Sequence, residues 1–225
     1  MPEPCPSKSS SPPAGQSFGE EIANGTTHAV GAVLSIAGLA LMMVGAASRG
    51  NAWHITSCAI FGATLIILYV TSAVYHFINL HHAHAKRILR MMDHISIYLL
   101  IAGTYTTLTL TFLRGPLGWT LFGIEWGLAV LGIVFKGVFG HRYDGIATAG
   151  YVVMGWAILI ASYPMIKGFP PGGIAWLVAG GLGYTLGVPF YIQDKKQKYF
   201  HAIWHLFVLT GSICHFFMVY LYIIP

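Results

Sequence analysis

The chain is 225 residues long, 56% of them hydrophobic and only 8% charged, with a formal net charge of +5 when histidine is neutral. A soluble domain carries about a quarter charged residues, so this chain lacks the polar side chains to cover itself and belongs in a membrane. Cys5, Cys58 and Cys214 lie far apart and form no C-x-x-C pair, which argues against a disulfide framework and against thiolate metal ligation.

Residues 1 to about 17 are rich in Pro and Ser, with no apolar run; they predict a disordered cytoplasmic tail rather than a signal peptide. Residues 18–225 read as one all-α membrane domain. Seven apolar stretches lie at about 27–48, 54–77, 92–113, 117–136, 146–166, 173–192 and 200–224, each near the roughly 20 residues that cross the hydrocarbon layer. The connectors at Arg49–Trp53, Arg114–Pro116 and Lys167–Gly172 are short, so successive helices should be antiparallel neighbours in a seven-helix bundle. Lys8, Lys86, Arg87, Arg90, Lys136, Arg142, Lys195, Lys196 and Lys198 fall on one side, and Arg49, Arg114 and Lys167 on the other. That excess of basic residues predicts a cytoplasmic N-terminus and an outer C-terminus.

This topology brings unusual residues to one depth. His76 ends the second stretch, Asp93 lies near the start of the third, and His201 and His205 open the seventh. A spacing of four stacks the last two imidazoles on one helix face. Three histidines with an open fourth position form a catalytic zinc arrangement, in which the metal brings the pKa of its water to about 7. Asp93 would be an outer partner or general base for that water, and Ser72, four before His76, could orient a ligand or donate to a developing oxyanion. Tyr75 and Tyr98 are weaker candidates. Singly, each has a plainer role: Asp93 at a helix dipole, Ser72 bonded back to its own helix, the histidines at the interface. Together, four such groups in a dry setting are costly unless they pair or bind metal.

Ser72-Ala73-Val74-Tyr75-His76, Asp93 and His201-Ala202-Ile203-Trp204-His205 resemble the three signature motifs of the haemolysin III family. That family lies within the progestin and adipoQ receptor superfamily, which is similar in turn to alkaline ceramidases. Glu20 to His28 resembles the bacterial haemolysin III start. The resemblance covers residues from about 18 to the C-terminus. It implies a seven-helix protein with zinc on His76, His201 and His205, Asp93 reaching the zinc through water, and Ser72 beside it. It also implies a receptor, a ceramidase-like hydrolase, or a cytolysin or regulator of membrane lipids. The short tail carries no large receptor domain, which weighs against a hormone receptor.

Glu125, in the middle of the fourth stretch, is expected to be neutral or hydrogen-bonded and too deep for the metal. His28 is expected at the interface, with a place beside the metal as the alternative. His54 and His215 belong to the opposite half. His81, His82 and His84, with Lys86, Arg87 and Arg90, suggest a solvated basic loop near anionic headgroups. His94 should point about 100° away from Asp93. Trp53, Trp119, Tyr151, Tyr199 and Tyr222 fit an interfacial belt. The favoured function is a zinc-dependent hydrolase of membrane lipid acyl amides or esters, with membrane lipids rather than nucleic acid as partners. The alternatives are a sensor stapled by zinc and a cytolysin, which seven obligate membrane helices disfavour. A retinal protein is disfavoured because the last stretch has no lysine.

Overall fold

The computed structural model describes residues 16–78 and 82–225. Among them there is no strand. The helices are α1 (Phe18–Arg49), α2 (Ala52–Phe77), α3 (Ala83–Thr109), α4 (Pro116–Phe139), α5 (Asp144–Gly155), α6 (Ser162–Gly168), α7 (Pro171–Gln193) and α8 (Phe200–Met218). Six segments are long and apolar enough to cross a membrane, with α5, α6 and the 3₁₀ turn between them counting as one. α3 has the length, 27 residues, but Asp93, His94 and the Tyr and Thr residues of its second half keep it out of that set.

Two helices begin about nine residues before their apolar stretches do, and for one reason. A hydropathy window ends where polar residues start, but in α1 those residues face inward, and in α3 Lys86 pairs with Glu21 of α1. In α1 the first turns carry Glu20, Asn24 and His28, all buried. Ser17 caps the helix: its hydroxyl accepts from the Glu20 amide, and Glu20 Oε2 accepts from the Ser17 amide at 2.9 Å. This reciprocal pair satisfies two amides that would otherwise be orphaned. Residues 1–15 of the expected tail, with Cys5, lie outside the described residues, but Ser17 is part of the fold.

α1 with α2, α2 with α3, α3 with α4 and α7 with α8 pack side by side, and α1 also meets α8, so the last helix lies against the first. Gly31 permits the α1–α2 contact, since a Cβ there would collide with the Tyr69 ring. The core holds Met42, Phe61, Leu65, Leu68, Tyr69 and Met218. Large apolar side chains such as Val33, Val44, Leu131, Val138 and Ile166 face outward, the reverse of a water-soluble fold and what lipid contact requires. Cys58 and Cys214 are free and buried.

The fifth apolar stretch is not one straight helix. α5 ends at Gly155, a 3₁₀ turn runs over Ala157–Ala161, and α6 follows. Pro164 cannot donate to the Ile160 carbonyl and crowds it, which disrupts the preceding turn. Tyr105 bridges the break: its hydroxyl donates to the Gly155 carbonyl at 3.0 Å and accepts from the Ile158 amide at 2.6 Å.

Candidate metal centre

The C-terminal end of α2, the first half of α3 and the start of α8 meet at one end of the bundle. There His76, His201 and His205 each bring one ligand nitrogen within 4.8 Å of the other two. Their ring centroids are 4.6–5.2 Å apart. His76 and His205 are buried and His201 is nearly so.

Each imidazole is held from behind. His76 Nδ1 donates to Glu21 Oε2 at 2.7 Å, His201 Nδ1 to Asp194 Oδ2 at 2.8 Å, and His205 Nδ1 to the Asn24 carbonyl at 3.2 Å. A nitrogen facing a carboxylate or carbonyl must carry the proton, so Nε2 keeps its lone pair. Nε2 of His76 and of His201 is buried with no hydrogen-bond partner. Buried lone pairs left unpaired are costly, and a divalent cation with a taste for imidazole satisfies them. The donor set therefore fits a divalent metal ion.

Ser72 lies one turn before His76, its side chain wholly buried. Asp93 comes from α3 close to Ser72 and His201. Its carboxylate is not one of the three grouped donors. The three expected histidines are thus brought together, with Asp93 close to His201 and Ser72. Tyr75 packs on His76 at 4.5 Å, whereas Tyr98 turns toward Tyr151 on α5.

His28 is not at the interface. It is 3% exposed and stacks on His205, with centroids 3.5 Å apart and planes 14° from parallel. Position 28 lies one turn past Asn24 on the inward face of α1, which carries it into the protein. His54 caps α2 with Asn51, and His215 donates to the Leu177 carbonyl; neither reaches the centre. Glu125 is buried, and neither oxygen has a hydrogen-bond partner among the described residues, so the hydrogen-bonded alternative is not what the fold provides. His81 lies outside the described residues, and His82 and His84 are exposed.

Three supports escaped sequence reasoning. Asp194 sits in the lysine-rich stretch Gln193–Lys198, where it reads as surface charge. The Asn24 contact is made by the backbone. Glu21 had a usable signal, lying seven residues before His28 and near the same helix face. A second group was also missed: His94, His141 and Asp144 bring ligand atoms within 4.8 Å of one another. His94 points away from Asp93, as a helix requires, and its ring lies 4.9 Å from His141. This group already holds a cation, for Lys136 is fully buried and its ammonium donates to Asp144 at 2.5 Å.

Membrane-crossing helices around a buried cluster of imidazoles and carboxylates define a multi-pass membrane protein with a candidate metal centre near one end of the bundle. A family model described as Haemolysin-III related matches residues 16–216, and the chain belongs to that family. It is 43% identical to Hemolysin-3 of Bacillus cereus, over 92% of this chain and 93% of that protein. It is 46% identical to the Hemolysin-3 homolog of Bacillus subtilis, over 90% and 94% respectively. Human monocyte to macrophage differentiation factor is 29% identical over 91% of this chain and 84% of its own length, which ties the chain to the progestin and adipoQ receptor relatives.

Proposed function

We propose that the protein is a zinc-dependent hydrolase acting on acyl amides or esters of membrane lipids, with a role in membrane lipid homeostasis. The observation that carries this is a set of three imidazoles, two buried and one partly buried, each oriented from behind, with Asp93 close to His201 and Ser72. Zinc bound there supplies a water acidic enough to attack a carbonyl near neutral pH.

The chain's own residues do the rest. Asp93 takes the proton from the attacking water and returns it to the departing nitrogen or oxygen. The Ser72 hydroxyl donates to the carbonyl oxygen as negative charge builds on it. An apolar cavity of about 160 Å³ between α3, α5, α7 and α8, lined by Leu68, Leu100, Val152, Tyr191, Trp204 and Val208, suits an acyl chain. Tyr191 joins the two regions, since its ring lies 6.2 Å from that of His201.

The basic residues put this end of the bundle at the cytoplasmic face, with the N-terminus inside and α3 as the seventh crossing helix. A purely structural zinc is the second reading, and the family's haemolysin name adds a cytolytic one. The test is release of fatty acid from defined lipid amides and esters by the purified, zinc-loaded protein. Turnover that disappears in Asp93→Ala while zinc stays bound supports the hydrolase. Zinc without turnover on any acyl lipid assigns the metal a structural role.

A further inference from the structure

The first three turns of α1 carry an unusual load for a membrane helix. Glu20, Asn24 and His28 are buried, and the Glu21 side chain is only 17% exposed. Positions 20, 24 and 28 share one face, and 21 borders it. All four residues point at the metal centre or its frame. Glu20 Oε1 accepts from the Tyr199 amide at 2.9 Å, where Tyr199 takes a left-handed φ of 62° to open α8. Asn24 offers its carbonyl to His205, and His28 stacks on the same ring.

Glu21 makes the most pointed of these contacts. Oε2 accepts from His76 Nδ1 at 2.7 Å, and Oε1 accepts from Lys86 Nζ on α3 at 2.7 Å. His76 and Glu21 are 55 residues apart, so the contact exists only because α1 packs against α2. A carboxylate behind an imidazole fixes the tautomer and ring orientation and makes the opposite nitrogen a stronger donor.

We propose that Glu21 is a positioning residue of the metal centre, holding the His76 ring so that Nε2 faces the ion. The start of α1 is thereby a working wall of the site and not only a membrane anchor. The proposal rests on the metal reading above and deepens it. The rival role is a plain tether, with Glu21 joining α1 to α3 through Lys86. Lys86→Met separates the two, because it removes the tie to α3 and leaves the His76 contact intact.

The test uses the full-length protein in detergent. Zinc affinity is read by competition with a chromophoric chelator, and geometry by the visible spectrum of the cobalt(II)-loaded form. Glu21→Ala should weaken zinc by about 10–100-fold and alter the cobalt spectrum. Glu21→Gln, which keeps an acceptor oxygen without the charge, should fall between wild type and Ala, with a loss of at least about 3-fold. Lys86→Met should stay within about 3-fold of wild type. If Glu21→Ala does not fold, the Gln variant set against Lys86→Met decides. Wild-type affinity in Glu21→Ala or in Glu21→Gln overturns the proposal, as does a Lys86→Met loss equal to that of the Glu21 variants. A wild-type protein that takes up no metal rejects the centre itself, which is a different outcome.

Discussion

Two clusters at the same end of this bundle have nearly the same composition and opposite characters. One joins His76, His201 and His205 with Asp93 nearby; the other joins His94, His141 and Asp144. In the first, the carboxylates of Glu21 and Asp194 stand behind the rings; an unpartnered, buried Nε2 occurs in both, at His76 and His201 in the first and at His141 in the second. In the second, the carboxylate is inside the cluster and already bound to a buried ammonium, Lys136, with Arg90 3.8 Å away. A second cation entering that box would meet two positive charges and one negative. Spacing of donors is therefore not enough to make a metal site; what matters is whether the positive charge is already supplied by the chain. The second cluster is a staple between α3, α4 and α5.

The largest effect that would break this contrast is at His205. His205→Ala should abolish stoichiometric zinc, because one of three ligands is gone and His28 loses the ring it stacks on. A full equivalent of metal in that variant, read by elemental analysis, rejects the assignment. Next comes Asp93→Ala, which should keep the metal and lose about 10²–10⁴-fold in lipid hydrolysis. Asp144→Ala, its counterpart in the other cluster, should lower thermal stability and leave turnover per folded molecule near wild type. Equal rate losses in the two variants would erase the distinction.

Lys136→Met sharpens the contrast from the other side. It removes the internal cation and leaves the Asp144 carboxylate without its main partner, at a cost of about 3 kcal/mol, reduced by the residual exposure of Asp144 and by Arg90. The emptied box should then accept a second zinc, so that, with the triad already loaded in both proteins, further added metal raises the melting temperature of the variant but not of the wild type. The same zinc response in both would show that Lys136 does not fill the cation position. The smallest effect is expected at Ser17. Ser17→Ala loses the α1 cap for about 1 kcal/mol, seen as a modest drop in melting temperature with metal retained.

Much of the fold could be read from apolar runs, since these report lipid-facing length directly. The starts of α1 and α3 could not. The first turns of α1 bury Glu20 and Asn24, and those of α3 carry Lys86, Arg87 and Arg90, which a hydropathy window takes for loop. The break at Gly155–Ala161 is set by Pro164 and stabilised by Tyr105 from another helix, a contact with no local trace. Among site residues, His76, Asp93, His201 and His205 were legible because topology alone puts helix ends at one depth. Glu21 and the Asn24 carbonyl were not, because they reach their imidazoles only through packing between distant helices, and Asp194, seven residues before His201, was not because it stands among lysines and reads as surface charge. The Lys136 staple was hidden although its partner lies just across the α4–α5 turn, because a buried lysine near a helix end looks like an ordinary positive-inside charge.

The central claim is that the histidine triad holds a metal while the histidines around Lys136 do not. Elemental analysis of purified wild type beside a His76→Ala/His201→Ala/His205→Ala variant tests it most directly. The account predicts about one zinc per chain in the wild type and none in the variant. Equal zinc in the two proteins, or none in either when no chelator has been used, would contradict it.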